Sequence, residues 1–154
     1  MRYEVASLII SPSNVSLDFT ARLNRLKVAV DTATVEEVLK HLDYAGVIPE
    51  CFGRDSSEEM LYAKYCQALL ARALRELGLK ARSILDRVGA ADVSANGDDY
   101  SIVGNAKAFR LSWPPKHQKD FNVEGLHKWR KGANFACLVC RLYLWLAVSL
   151  SASP

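Results

Sequence analysis

Between Ser56 and Gly78 the residues leave one reading, a long amphipathic helix. Leu61, Tyr65, Leu69 and Ala73 recur every four residues, and Tyr62, Cys66, Leu70, Leu74 and Leu77 widen the apolar face. Ser56 followed by Glu59 is the spacing of a capping box, in which side chains satisfy the free N–H groups of a helix start. The pattern predicts a helix from Glu58 to Leu77, stopped by Gly78.

Upstream, residues 15–47 read as two shorter helices. Leu17, Phe19, Leu23 and Leu26 suggest the first; Thr34 and Glu37 cap the second, whose stripe is Val35, Val38, Leu39 and Leu42, with Gly46 ending it. Val47-Ile48-Pro49-Glu50 is an extended exit, because the residue before a proline is pushed out of helical geometry. Downstream the period changes to two. Ala91–Ala95 predicts a short strand and Tyr100–Phe109 a longer one, separated by the turn signal Asn96-Gly97-Asp98-Asp99. Trp113-Pro114-Pro115 breaks the pattern, a helix is expected around Asp120–Lys131, and Phe135–Leu144 is a candidate third strand. Helices, antiparallel strands, a helix and a strand make an α/β or α+β domain.

The chain of 154 residues is long enough for one domain, and its 50% apolar and 24% charged residues are those of a soluble globular protein. A net charge of +3 does not by itself demand a nucleic-acid partner. The charge is uneven, however: residues 105–131 hold seven bases (Lys107, Arg110, Lys116, Lys119, Lys128, Arg130, Lys131) against Asp120 and Glu124. Clustered bases suit a phosphate backbone, although a solvated helix face is the ordinary alternative. Cys137-x-x-Cys140 has no second pair and no nearby histidine to complete a zinc site, so a reduced buried pair is expected. His41, His117 and His127 are expected to be surface or internally satisfied residues, with His117 a possible phosphate contact. The start Met1-Arg2-Tyr3-Glu4 has no signal-peptide pattern, and the apolar stretch 135–150 is broken by Arg141 and falls short of the roughly 20 residues that span a bilayer. A cytoplasmic, non-membrane protein is the expectation.

Asp92 and the triplet Asn105-Ala106-Lys107 lie on neighbouring candidate strands, and alternation puts residues 105 and 107 on one face. An acid on one strand with acid-x-lysine on the next is a nuclease arrangement. Two carboxylates hold a hard cation such as magnesium, the cation polarises the scissile phosphate, and the lysine supplies a fixed positive charge. Alone the pattern is weak, since exposed strand lysines are common. Geometry also constrains it. A two-residue Asn96-Gly97 turn would pair Asp92 with Ser101, so bringing Asp92 to Asn105 needs a wider loop centred near Asp98-Asp99, or a bulge; the wider loop is predicted.

The run Gly104-Asn105-Ala106-Lys107-Ala108-Phe109-Arg110-Leu111-Ser112, followed by Lys116-His117-Gln118-Lys119-Asp120-Phe121, resembles the central motif of the HindIII family of type II restriction endonucleases. That motif reads A-D-A-K-x-F-R-L-S and then K-N-Q-K-D-F. The similarity extends through Gly89–Val93, Glu58–Tyr62, Gly46–Glu50 and Leu126–Arg130, roughly residues 40–140. The resemblance implies a restriction-endonuclease-like core of the acid…acid-x-lysine superfamily, with a central mixed sheet flanked by helices behind an N-terminal helical segment. It divides the chain into a helical segment 1–55, a nuclease core 56–144 and an apolar tail 145–154. It also implies Mg2+-dependent cleavage of both strands of DNA at a short palindrome, by a homodimer when full length.

Carried over, Asp92 is the first metal-binding acid, Asn105 occupies the second metal position, Lys107 is the catalytic lysine, Asp120 is a further acid needed for activity, and Glu59 supports the site. Arg110, Lys116, His117 and Lys119 are the implied DNA contacts. The family has aspartate where this chain has Asn105. Asparagine keeps the shape and loses the charge, which predicts little or no cleavage; loss of such a group commonly costs on the order of a thousandfold in rate. A decaying gene and a deliberately introduced substitution both fit that change. Trp113-Pro114-Pro115 replaces a basic segment, and Leu142–Leu150 does not resemble the family's continuation, as a frameshift near Cys140 would produce.

Overall fold

The computed structural model describes residue 9 and residues 17–84, 91–130 and 132–141. Helix α1 (Phe19–Thr32) starts at Asp18, whose carboxylate accepts the Ala21 N–H at 2.7 Å. Its buried face is Arg22, Leu26 and Val30, at i, i+4 and i+8. The buried Arg22 donates through Nη2 to the Ile9 carbonyl at 2.6 Å and to Glu58 at 3.1 Å. In α2 (Val35–Leu42) the expected capping box forms in full, with Thr34 N–H on Glu37 at 2.8 Å and Glu37 N–H on the Thr34 hydroxyl at 3.3 Å. Its stripe is shallower than expected: Val38 is buried, whereas Val35 and Leu39 are exposed.

Helix α3 (Ser57–Glu76) fulfils the strongest sequence signal. Leu61, Tyr62, Tyr65, Cys66, Leu69 and Leu70 are all buried, and Leu61, Tyr65 and Leu69 share one core with Leu26, Val30 and Val38 of the preceding helices. Two details differ from the sequence reading. Leu77 lies past the helix end and is exposed. The Ser56 box is only half made: Ser56 accepts the Glu59 N–H at 3.2 Å, but Glu59 reaches the Asp55 N–H at 2.8 Å and not that of Ser56. Gly78 stops the helix with φ of +83°, the left-handed conformation that favours glycine.

A four-stranded sheet follows, in the order β1 (Lys80–Ser83), β2 (Val93–Asn96), β3 (Ser101–Ala106), β4 (Phe135–Val139). The first three strands are antiparallel and β4 runs parallel to β3. The mixed sheet is as expected, and β4 is the candidate third strand, shorter than predicted. Between β3 and β4 the expected helix is split into a 3-10 turn (Gln118–Phe121) and α4 (Val123–Trp129), with Asn122 in the left-handed region at the junction. Leu70 and Ala71 of α3 pack on Val93, with Ala106 beside them. Gly104 permits this closeness: a Cβ there would lie 3.2 Å from Cys137 Sγ and 3.4 Å from Leu70 Cδ2. All four cysteines are free; Cys66 is buried, Cys51 is exposed, and Cys137 and Cys140 are half-buried.

Candidate active site

The register of β2 against β3 decides whether the acid meets the lysine motif. Val93 faces Gly104 and Asn96 faces Ser101, so the connecting loop is 97–100, centred on Asp98-Asp99. This is the wider loop the active-site reading required. One step beyond Val93, the Asp92 N–H donates to the Gly104 carbonyl at 2.9 Å. Asp92, just ahead of β2, and Val93, the first residue of β2, thus both address Gly104 of β3. One oxygen of the Asp92 carboxylate accepts the Ala106 N–H at 2.9 Å and the other accepts the Gln67 side-chain amide of α3 at 2.7 Å. The Lys107 backbone is held in turn by its N–H on Val139 of β4 at 2.8 Å.

Asp92, Asn105 and Lys107 are therefore gathered at one end of β2 and β3. Asn105 is only 3% exposed. Burial pushes the Asp92 carboxyl above its ordinary range, and the Ala106 N–H, Lys107 and Lys64 pull it back. The sequence reading missed two members of this cluster. Gln67 is one, and Lys64 is the other, whose ammonium donates to the Gln67 carbonyl at 3.1 Å. The signal was present: Gln67 is a polar residue inside the apolar run Tyr65-Cys66-Gln67-Ala68-Leu69 and is 7% exposed. A buried polar side chain must have a partner, and Asp92 is that partner.

The remaining residues singled out from sequence lie elsewhere. Glu59 and Arg110 bind each other at 3.2 Å, and Arg110, buried, also donates to the Gly53 carbonyl at 3.0 Å and faces Glu50 at 3.8 Å. These contacts fasten the start of α3, the loop before it and the exit from β3. Both side chains are engaged with each other, and no bond joins either to Asp92. Asp120 accepts the backbone N–H groups of Lys116 and His117 at 2.8 and 3.0 Å, and these bonds hold its carboxyl below the usual range. It caps its own 3-10 turn, which is anchored by the fully buried Phe121 edge-on to Phe109 at 5.3 Å. Lys116, His117 and Lys119 are exposed along that turn. His41 is internally satisfied through the Tyr65 hydroxyl.

The donor set does not fit a hard divalent cation held by two carboxylates. Asp92 is one carboxylate with both oxygens already hydrogen-bonded, Asn105 is neutral, and among the described residues no three His, Cys, Asp or Glu side chains lie together.

A mixed four-stranded sheet backed by a long helix, with an acid at one strand end meeting an x-lysine motif on the next, defines a restriction-endonuclease-like core. The profile of the HindIII restriction endonuclease family matches residues 4–151, and the chain belongs to that family. The match runs past residues 40–140, where the resemblance lies, and into the apolar tail as far as residue 151; residues 142–154 lie outside the described ones. The type II restriction enzyme HindIII of Haemophilus influenzae (strain Rd) is 32% identical over 133 residues, which cover 85% of this chain and 41% of that protein. The chain thus spans about two fifths of the length of the curated relative it matches.

Proposed function

We propose that this chain is the DNA-holding core of a HindIII-like type II restriction endonuclease, a cytoplasmic enzyme that cuts both strands at a short palindrome with Mg2+, and that Asn105 leaves the cleavage step largely disabled. The observation that carries this reading is the register that sets Asp92 beside Asn105-Ala106-Lys107. Lys107 and Lys64 place two fixed positive charges around Asp92, so the cluster is net positive and attracts a phosphodiester. Two cuts in a palindrome call for twofold symmetry and hence a homodimer of the full-length protein. No helix among the described residues is long and apolar enough to cross a membrane.

Plasmid cleavage with Mg2+ tests this, comparing the protein with Asn105→Asp. The expected result is no cutting by the former and cutting by the latter. Robust cutting by the protein with Asn105 would overturn the claim that this residue disables the site. Failure of both, when both are folded, would remove the cleavage assignment from this chain.

A further inference from the structure

Next to the basic 3-10 turn stands a feature that the nuclease reading does not use. Trp113 is 61% exposed, and its neighbour Leu111 is 53% exposed. The Arg54 guanidinium lies over the indole at 4.4 Å from the ring centroid and the Lys116 ammonium at 5.9 Å. His117 and Lys119 continue the basic rim.

Folding does not require the indole to be there. The segment is already fixed by Ser112, whose N–H and hydroxyl donate to the two Glu50 oxygens at 2.9 and 2.7 Å, by Arg110 on Glu59 and Gly53, and by buried Pro115. Two acids near it are spoken for, Glu50 by Ser112 and Asp120 by backbone N–H groups. What remains is an exposed aromatic ring, held out beside a rigid Pro-Pro pair, with the Arg54 and Lys116 cations over it rather than an apolar neighbour. Aromatic rings in basic surroundings are how proteins hold nucleobases outside a helical stack, the ring taking the base and the cations the phosphates beside it.

We infer that Trp113 with Arg54 and Lys116 is a stacking platform for an exposed DNA base, at an unpaired position or a locally opened step. This rests on the DNA-holding reading above and adds a contact apart from the Asp92 cluster. Charge complementarity favours this ligand: the two cations at the indole, Arg54 and Lys116, match the phosphates that accompany a base.

Stacking on an aromatic side chain contributes about 1–3 kcal/mol per base, so its loss weakens binding roughly 5- to 150-fold. The test is fluorescence anisotropy with a labelled duplex carrying one unpaired thymine, and with its fully paired counterpart, across a salt series. Trp113→Ala is expected to lose about that factor on the unpaired-base duplex with an unchanged salt slope. Trp113→Phe should retain most of the affinity, and Lys116→Ala should reduce the slope by about one. Circular dichroism of each variant confirms folding, and the share of tryptophan quenching on binding that disappears in Trp113→Phe, with Trp129 and Trp145 still present, reports the contact. If the unaltered protein binds both duplexes and Trp113→Ala binds them equally well, the platform is overturned and the DNA-holding reading stands. No binding by the unaltered protein overturns both.

Discussion

At the scale of single residues the site turns on what holds Asp92. A partly buried carboxylate is tolerable because both of its oxygens accept hydrogen bonds, one from the Ala106 backbone and one from Gln67. Gln67 is itself secured by Lys64. Replacing Gln67 with Leu keeps the bulk, strips one Asp92 oxygen of its donor and leaves Lys64 without its acceptor. The expected outcome is a loss of about 1–3 kcal/mol, read as a lower urea midpoint with an unchanged m-value. An unaltered midpoint would show that water replaces the amide at no cost. Asp92, Asn105 and Lys107 were legible in the sequence because strand alternation and a motif point to them. Gln67 showed only as a polar residue inside an apolar run, and Lys64 not at all, because three-residue spacing on a helix encodes no chemistry until the sheet that the helix covers is known. Arg110 was legible only as a base. That it is buried against Glu59 and Glu50 depends on three chain segments meeting, which local spacing does not contain.

Among the elements, α3 was the most legible, since a cap, an apolar period and a terminal glycine all agree. The β2–β3 loop was legible only by combining turn chemistry with the demand that Asp92 meet residue 105. Strand β1 was missed: Lys80-Ala81-Arg82-Ser83 alternates, with Ala81 alone of the four buried, but it is short and basic. Such charged, short strands are the ones that occupy sheet edges, where they discourage pairing with other chains. The contact of α3 with the sheet gives the element-scale prediction. Because a Cβ at position 104 would already stand 3.2 Å from Cys137 Sγ, Gly104→Val should force α3 and β4 apart and cost about 1–3 kcal/mol. Thermal unfolding followed by circular dichroism measures it; a melting temperature equal to that of the unaltered protein would mean that the packing there is looser than described.

For the whole molecule, the prediction concerns metal removal. With one carboxylate between two lysines, DNA binding should need no divalent cation: affinity in EDTA and in Mg2+ should agree within about twofold. On the proposed phosphate contact, Asn105→Asp adds a second negative charge to the Asp92 cluster, so EDTA should weaken binding and Mg2+ restore it. Binding by the unaltered protein that collapses in EDTA would contradict this charge balance. The overall architecture was legible as class and order of elements, while its parallel pair was not, because β4 carries no sign of direction in its residues. That pair also sets an order of assembly. The β2–β3 hairpin closes across four residues, whereas β4 reaches β3 only after the 3-10 turn and α4 have been made. On a chain emerging from the ribosome, the outer edge of β3 therefore stays bare until residues 135–139 arrive, and this interval is when it is open to pairing with another nascent chain.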